Sequence, residues 1–417
     1  MESLGLGRFA LAIGAAAALL NGCGAAQPPI AQPQTAPLAA RADGTHYQVV
    51  YSFGAVPDGN AATSSLIHVG GTLYGTTEYG GANACRGGGC GTVFSITTSG
   101  TEQVLYSFAS RPDGNNPYAG LTDVAGTLYG TTRFGGAYRC ADSGCGAVFS
   151  ISPSGEEKVL HSLSFGTDGH YPRASLIAVK STLYGTTPGG PAHRYGTVFS
   201  ITTSGAAENV LHTFKKEKGP RGSSPLAALT DIKGTLYGTA SLGGAYGDGA
   251  GAYGDGVVFS ITPNGTETVL HSFDGTDGAY PEASLVDVKG TFYGTTAFGG
   301  TNNGGIVFSI TTGGTEKVLH RFKGSDGARP VGSLIDVKGT LYGTTEYGGG
   351  YSCDTSLHCG TIFSIKPSGT EKVLHSFGSG SDGKYPTAGL TDVNGTLYGT
   401  TSAGGQYGNG TVFALTP

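Results

Sequence analysis

Tryptophan is missing from this 417-residue chain, and Met1 is its only methionine. Charged residues make up only 13% of the chain and the formal net charge is −5. A general nucleic-acid binder would normally be basic, so we expect no nucleic-acid partner. No helical period of useful length follows residue 22, which argues against a helical domain.

Motifs for catalysis are missing as well. The chain has no Gly-x-Ser-x-Gly elbow, no His-Glu-x-x-His, no Walker loop and no aspartate box of the kind that resembles sialidase propellers. We therefore assign no catalytic residue and expect neither a cofactor nor a metal. An enzymatic activity has no support in these motifs, although the sequence does not exclude one.

Glycine, in contrast, is abundant, with 76 residues. It has no three-residue period, which excludes collagen, and the 10% of aromatic residues argues against simple disorder.

The N-terminal segment is typical of an export signal. Arg8 precedes an apolar run of twelve residues, Phe9 to Leu20. This run is too short to span a bilayer core of ~30 Å as a helix but suits a secretory signal. It ends in Leu-Asn-Gly-Cys23, which resembles a bacterial lipobox, whose cysteine becomes lipidated. We predict a signal peptide over residues 1–22, then lipidated Cys23 and an Ala/Pro/Gln-rich tether over 23–44. The alternative is an ordinary signal peptide cut nearby, with Cys23 free or in a disulfide.

Residues 45–417 contain seven copies of one unit. Leu-Tyr-Gly-Thr-Thr or a close variant recurs at spacings of 49 to 56 residues, starting at Leu73, Leu128, Leu183, Leu236, Phe292, Leu341 and Leu397. Each copy is followed by Val-Phe-Ser or nearly so, and then by a form of Val-Leu-His-Ser-Phe.

Each unit is predicted to form four short strands, A to D. In the sixth unit these are Ser333–Val337, Thr340–Thr345, Gly360–Ile365 and Glu371–Phe377. Two-residue x-Gly turns between strands A and B predict tight hairpins, because such turns need positive φ.

A four-stranded unit must stack on neighbours, which leaves an open solenoid or a closed ring. The region starts with a lone D strand, His46 to Phe53, and ends with a C strand, Thr411 to Leu415. If the first strand completes the last unit, no open edge remains. We therefore predict an all-β, seven-bladed β-propeller whose ring is closed by the N-terminal strand, and we expect a monomer.

The wording of the repeat resembles that of a known family. Gly-Thr-Leu-Tyr-Gly-Thr-Thr, then Gly-Gly, then Gly-Thr-Val-Phe-Ser resembles the GloVer tandem repeat of bacterial envelope proteins, and all seven units carry the resemblance. A looser likeness to kelch repeats lacks the tryptophan that kelch units normally carry. The GloVer resemblance implies an envelope location but no established activity.

Six of the seven cysteines form pairs within B–C loops. We predict the disulfides Cys85–Cys90, Cys140–Cys145 and Cys353–Cys359, since an exported protein meets an oxidising compartment. The alternative is a zinc site formed by two converging loops.

Two repeated polar positions could suggest metal sites. Strand A ends in an aspartate in five units, and strand D carries a histidine in five, with Tyr51 and Tyr106 in the other two. We interpret each aspartate as a turn acceptor rather than part of a cation ring, and the histidines as packing residues with a polar tip. The recurring Asp-Gly between strands D and A is likewise interpreted as turn chemistry rather than a calcium loop.

The B–C and D–A loops should emerge on one face, where they vary in length and chemistry. Aromatic residues in them are the candidate ligand-binding set, namely Tyr79, Phe134, Tyr195, Tyr246, Phe298, Tyr347 and Tyr407. The alternative is that these rings cap the blade ends. Our hypothesis is an envelope protein that binds a glycan or a protein through this face and is not an enzyme. A secreted polysaccharide hydrolase or lyase with an axial pocket on the same face, and a structural or adhesion component, are the alternatives.

Overall fold

The structure is a computed structural model that describes residues 44–417 apart from 86–87, 141–142, 167, 191–194, 216–221, 247–253 and 354–357. The predicted signal peptide, Cys23 and nearly all of the tether lie outside the described residues. The described residues form strands and no helix, so none of them forms a helix that could span a membrane.

Seven four-stranded antiparallel sheets form the blades of a β-propeller, each with strand order A-B-C-D. The A strands are Ile67–Val69, Thr122–Val124, Ile177–Val179, Thr230–Ile232, Val286–Val288, Ile335–Val337 and Thr391–Val393. The B strands are Thr72–Thr77, Thr127–Thr132, Thr182–Thr187, Thr235–Ala240, Thr291–Thr296, Thr340–Thr345 and Thr396–Thr401. The C strands are Thr92–Thr97, Ala147–Ile151, Thr197–Thr202, Val257–Ile261, Ile306–Thr311, Thr361–Ile365 and Thr411–Thr416. The D strands are Glu102–Ser107, Glu157–Ser162, Glu208–Thr213, Glu267–Ser272, Glu316–Arg321, Glu371–Ser376 and, for the seventh blade, His46–Ser52.

The predicted closure of the ring is confirmed. His46–Ser52 pairs antiparallel with Thr411–Thr416, with Val49 opposite Phe413 and Ser52 opposite Thr411. The N-terminal strand therefore completes the last blade, and the solenoid alternative is wrong.

The core lies between blades. In six of the seven interfaces a phenylalanine ending one D strand meets a C-strand phenylalanine of the next blade edge-on, as Phe53 meets Phe94 with ring centroids 5.2 Å apart. The glycine of Leu-Tyr-Gly-Thr-Thr makes room for this ring. A Cβ on Gly75 would lie 2.7 Å from Phe94 Cζ and 2.8 Å from Leu66 Cδ2, which is too close for any larger residue. The repeat keeps its glycine because blade packing needs the space.

Repeated polar residues hold the turns and the blades together. The strand-A aspartates accept a hydrogen bond from the turn glycine, as Asp392 does from Gly395 N at 2.8 Å, which confirms the turn interpretation. The first threonine of most Gly-Thr-Thr strings donates to a carbonyl of the next blade, as Thr76 Oγ1 does to Ala119 O at 2.9 Å. Both roles explain why these residues recur.

The three predicted disulfides are formed within their own loops. Cys85–Cys90, Cys140–Cys145 and Cys353–Cys359 have Cα–Cα distances of 5.1, 4.8 and 5.3 Å. The zinc alternative for these cysteines is therefore wrong.

Candidate functional site

Each D–A loop crosses from the outer edge of the propeller to its axis and returns the chain to strand A. Two residues after the Asp-Gly position, the loop adopts a left-handed backbone with φ between 53° and 62° at Ala61, Asn116, Tyr171, Ser224, Tyr280, Arg329 and Tyr385. The amide of this residue donates to a B–C loop of the preceding blade, as Arg329 N does to Gly304 O at 2.8 Å. Its carbonyl accepts from the residue after strand B of its own blade, as Arg329 O does from Glu346 N at 3.0 Å. Left-handed non-glycine residues cost energy, so this repeated conformation is held by both neighbours.

The residue two positions further on lines an axial cavity of about 170 Å³. We call these seven residues the mouth ring, and they are Thr63, Tyr118, Arg173, Leu226, Glu282, Val331 and Thr387. Small residues below them, such as Ala174 and Ser175, line the rest of the cavity. The mouth ring contains six residue types at seven equivalent positions, whereas the strands around it are nearly identical.

Charged residues around the mouth divide into two halves. On one side, Arg133 Nη1 lies 3.8 Å from Glu78 Oε1, and Arg173 lies over the Tyr118 ring at 5.6 Å. This half has two arginines and one glutamate.

On the other side, Arg329 Nη1 lies 2.5 Å from Glu346 Oε2, and its Nη2 lies 3.8 Å from Glu282 Oε2. This half has one arginine and two glutamates, so the mouth is positive on one side and negative on the other. Burial raises the pKa of Glu282, and Glu346 raises it further, while Arg329 and Arg173 oppose both.

A second cavity of about 580 Å³ adjoins the positive half, and Arg173 and Leu226 line both cavities. Its other lining residues include Arg133, Phe165, His170, Tyr171 and Ser224. None of these was singled out from the sequence. The sequence signal for His170 and Tyr171 was their place directly after Asp168-Gly169, in a stretch where the seven units differ. Arg133 and Phe165 lie outside that stretch.

The structure brings four of the seven predicted aromatic residues to the mouth. Arg133 lies over Phe134 at 4.6 Å, and Arg329 lies 5.7 Å from the Phe298 ring and 5.9 Å from the Tyr347 ring. Tyr79 is close enough to Glu78 for burial and that carboxylate to raise its pKa.

The other three candidates lie elsewhere. Tyr195 packs against the inter-blade core beside Phe214 and Val257. Tyr246 and Tyr407 are exposed, at 60% and 56%. In the part of the chain that the structure describes, none of the seven candidates lines either cavity, and the four at the mouth lie behind the charged residues that do. That the four aromatic residues at the mouth contact a ligand stays a prediction.

A second set of polar residues encircles the propeller at its outer edge, and we call it the outer ring. In six interfaces the D-strand tyrosine or histidine contacts the aspartate of the following Asp-Gly at 2.8 to 3.1 Å, in the pairs Tyr51–Asp58, Tyr106–Asp113, His161–Asp168, His271–Asp277, His320–Asp326 and His375–Asp382. The fourth blade lacks the aspartate, and His212 there faces Glu267 at 3.4 Å.

The same aspartates also accept turn amides, as Asp58 Oδ1 does from Gly59 N at 2.7 Å, which confirms the turn interpretation. The histidines do have the expected polar tip, but their aspartate partner was not foreseen. The sequence signal for this pairing was the separation between the tyrosine or histidine and the aspartate, which is six or seven residues in all six pairs.

A third member of the outer ring comes from the first residue of the next D strand, a glutamate in six blades. In several interfaces one carboxylate oxygen of this residue is buried and has no hydrogen-bond partner, at Glu102, Glu157, Glu208, Glu316 and Glu371. At the ring closure Tyr47 replaces the glutamate, and its hydroxyl donates to Asp382 Oδ1 at 2.5 Å.

Protons explain the outer ring better than metal ions do. The ligating atoms of His271, Asp277 and Glu316 lie within 4.8 Å of one another, which would suit a cation. Yet the interfaces of Glu102 and Glu157 pair the same glutamate with Tyr51 and Tyr106, which are poor metal ligands.

Protonation fits the interfaces of Glu102, Glu157, Glu316 and Glu371. Burial, together with Asp58, raises the pKa of Glu102 to about 8. Burial raises the pKa of Glu157, Glu316 and Glu371 to about 7. A protonated glutamate can donate to the neighbouring aspartate, as the hydroxyl of Tyr47 does.

Comparison with known proteins identifies relatives of the repeat and of the fold. A family model described as the Gloeobacter/Verrucomicrobia repeat matches residues 38–180 and 249–417. No curated protein sequence matches the chain.

Among solved structures, an oligogalacturonate lyase from Vibrio parahaemolyticus is similar, with a TM-score of 0.55 and 8% identity over 91% of this chain and 95% of that one. A europium-containing methanol dehydrogenase has a TM-score of 0.52 and 10% identity over 89% and 93%. The quinohemoprotein alcohol dehydrogenase of Comamonas testosteroni has a TM-score of 0.52 and 10% identity over 88% and 76%. At these identities the likeness shows the fold alone.

Proposed function

Because this chain belongs to the Gloeobacter/Verrucomicrobia repeat family, we propose that it is an exported envelope protein whose axial mouth binds a glycan without chemical turnover. The observation that carries the proposal is the mouth ring. Seven equivalent positions hold six residue types there. The position before them is proline in six blades, and the position after them is always alanine, serine or glycine. Residues that serve only the fold have no reason to diverge between two positions that are so uniform.

The chemistry of the mouth favours a glycan over a protein partner. Sugar rings are bound by aromatic faces and by charged groups that hydrogen-bond to hydroxyls, and the mouth offers Tyr118, Tyr347 and Phe298 beside arginines and glutamates. The charged groups surround a narrow axial cavity, which admits a chain end. A protein partner would instead need a broad interface of about 800 Å² on this side.

A glycan array probed with the purified propeller tests this function. We expect binding of a restricted set of glycans, lost in Tyr118→Ala and in Glu282→Gln. Lys338→Ala, in the A–B turn of the opposite face, is the matched control and should bind normally. Uniform loss of binding in all three variants, or no glycan bound by the unmodified protein, would contradict the proposal.

Export and lipid anchoring form the second part of the proposal. Three disulfides support an oxidising compartment. Cys23 is the residue we expect to carry the lipid. Cys23→Ala should move the protein from the membrane fraction to the soluble fraction and abolish incorporation of labelled palmitate. Unchanged membrane association would show that the anchor is elsewhere.

An enzyme of the lyase or hydrolase class is a second candidate, favoured by one observation. The half-buried Glu282 lies 3.8 Å from Arg329, and burial raises its pKa, as a general acid or base would require. Incubation with polysaccharides, followed by assay of new reducing ends, tests it. Turnover abolished by Glu282→Gln would favour catalysis, whereas binding without turnover favours the binding role.

A further inference from the structure

The two halves of the mouth differ in how well their charges are compensated. Arg329 has two carboxylates close to it, Glu346 and Glu282. Arg133 has one, Glu78, at the long distance of 3.8 Å. Among the described residues no carboxylate lies within ion-pair distance of Arg173, whose ring neighbour is Tyr118. Positive charge therefore accumulates beside the 580 Å³ cavity, although the whole chain has a net charge of −5.

The two arginines stand close enough to affect each other. Burial lowers the pKa of Arg133, and the charge of Arg173 lowers it further. The Nε atom of Arg133 is buried and has no hydrogen-bond partner, and the same is true of Arg329 Nε, whose charge two carboxylates compensate. Leaving a charged donor buried and unpaired is costly, so Arg133 Nε is poised for an acceptor that a ligand would supply. An arginine fork suits a carboxylate, which accepts two parallel hydrogen bonds.

Three aromatic rings, Phe165, His170 and Tyr171, form part of the remaining wall of the cavity. Phe165 is 53% exposed and stacks on His170 with ring centroids 5.1 Å apart. Tyr171 packs edge-on against Phe134 at 5.3 Å, which fixes its ring beside the arginines. An exposed aromatic face next to paired cations matches a sugar ring, whose C–H groups can pack on the aromatic face, when that sugar also carries negative charge.

We infer that this cavity binds a uronic acid unit, with Arg133 and Arg173 holding the sugar carboxylate and Phe165 contacting the ring. The inference rests on the proposed glycan-binding function and deepens it, because it names the sugar class and the half of the mouth that selects it. The acidic sugar then lies on blades two and three, on the side of the mouth away from Glu282 and Glu346.

Isothermal titration calorimetry with trigalacturonate and with neutral galactotriose tests the inference. We expect trigalacturonate to bind at least tenfold more tightly at low salt. Arg173→Ala should remove that preference, and Arg173→Lys should restore part of it, since lysine keeps the charge but loses the fork. Phe165→Ala should weaken both ligands by a similar factor. Lys338→Ala should change neither.

The outcomes separate the inference from the proposed function. Equal affinity for the two trisaccharides, or an acid preference that survives Arg173→Ala, would overturn the uronate assignment while leaving glycan binding intact. Tight binding of a sulfated but not of a carboxylated trisaccharide would overturn it as well. If no glycan binds at all, both the uronate assignment and the proposed glycan-binding function are wrong. Arg133→Ala can also disturb the Glu78 contact, so melting temperatures accompany every variant, and Arg173, which has no such contact, decides the test.

Discussion

The outer ring and the mouth ring are built by the same D–A loops, yet they differ in how strictly they repeat. At the outer edge, a histidine or tyrosine, an aspartate and a glutamate meet in interface after interface. At the axis, the same loops place tyrosine, arginine, leucine, glutamate, valine and threonine at equivalent positions. The recurring residues of the outer ring hold the blades together. The residues of the mouth ring, which differ between blades, are the ones that can serve binding. Both regions are rich in charge, so charge alone would not have separated them.

The largest effect should come from breaking the outer ring at the ring closure. Asp382 is 4% exposed and accepts hydrogen bonds from Tyr47, His375 and Gly383 N. Asp382→Ala leaves these donors without an acceptor, and we expect a loss of about 3 kcal/mol in the free energy of unfolding. Urea unfolding measures it. Asp392→Ala, which removes one turn acceptor, is the control and should cost about 1 kcal/mol. Similar losses in the two variants would mean that the outer ring is no more than turn chemistry.

The next effect is a fall in stability with rising pH. The folded-state pKa of Glu102 is about 8, and that of Glu157, Glu316 and Glu371 is about 7, while an unfolded glutamate titrates near pH 4.3. Folding therefore takes up protons, so this stabilisation is complete below about pH 4 and is lost as the pH rises through 7 to 8. Solvent screening of these half-buried groups reduces the effect to about 0.5 kcal/mol each, or about 2 kcal/mol in total.

The slope can be assigned by substitution. Replacing all four glutamates by glutamine, which donates at every pH, should flatten the profile between pH 5 and 9 in thermal melts. Burial lowers the pKa of His320, so this histidine contributes a slope of opposite sign near pH 6. The glutamine variant keeps His320, so this contribution drops out of the difference between the two stability profiles. A variant that retains the full slope would show that other groups titrate.

A smaller effect is expected at Tyr47, the natural exception in the outer ring. Tyr47→Phe removes the donor to Asp382 but keeps the stacking on His375, whose ring lies 3.7 Å away. We expect a loss of about 1.5 kcal/mol. Tyr47→Glu should recover part of it at pH 5 and none at pH 9, because only the protonated acid donates. If Tyr47→Glu is equally stable at pH 5 and pH 9, then position 47 is not equivalent to the position that the six glutamates occupy in the other blades.

The smallest effect on stability should come from the mouth ring. Tyr118→Ala and Glu282→Gln should each change the free energy of unfolding by no more than about 0.5 kcal/mol, because neither side chain fills an inter-blade core. Differential scanning calorimetry, run on the samples used for the glycan array, checks this. A large destabilisation here would erase the contrast between the two rings and remove the main support for a binding role.

Much of the fold was predictable because the strand patterns and turn residues of each repeat lie within the repeat itself. The strands of the sixth unit were predicted to within two residues at each end, and Thr340–Thr345 matches at both ends. The turn glycines, the disulfide pairs and the pairing of His46–Ser52 with Thr411–Thr416 followed from turn chemistry, spacing and strand count.

The two rings were not predicted, and for different reasons. The outer ring joins residues of neighbouring blades, as Tyr51 of the seventh blade meets Glu102 of the first, so it becomes visible only when the blades are placed side by side. The mouth ring is not marked by aromatic residues in the sequence. Its signal is positional, because Arg173 and Glu282 stand four residues after the glycine of their Asp-Gly pairs, where the seven units differ. The prediction that Tyr195 contacts a ligand did not anticipate its packing against Phe214.

The pairing of Val49 with Phe413 also governs the order in which the molecule can be assembled. A chain synthesised from its N-terminus delivers the strand His46–Ser52 first, yet its partner strand, Thr411–Thr416, arrives more than three hundred residues later. Until then the first strand has no permanent neighbour, and the six complete blades form an arc whose two edges are open. Contacts between such distant parts of a chain form slowly. The propeller therefore keeps exposed strand edges during its synthesis until its first strand, His46–Ser52, pairs with its last, Thr411–Thr416.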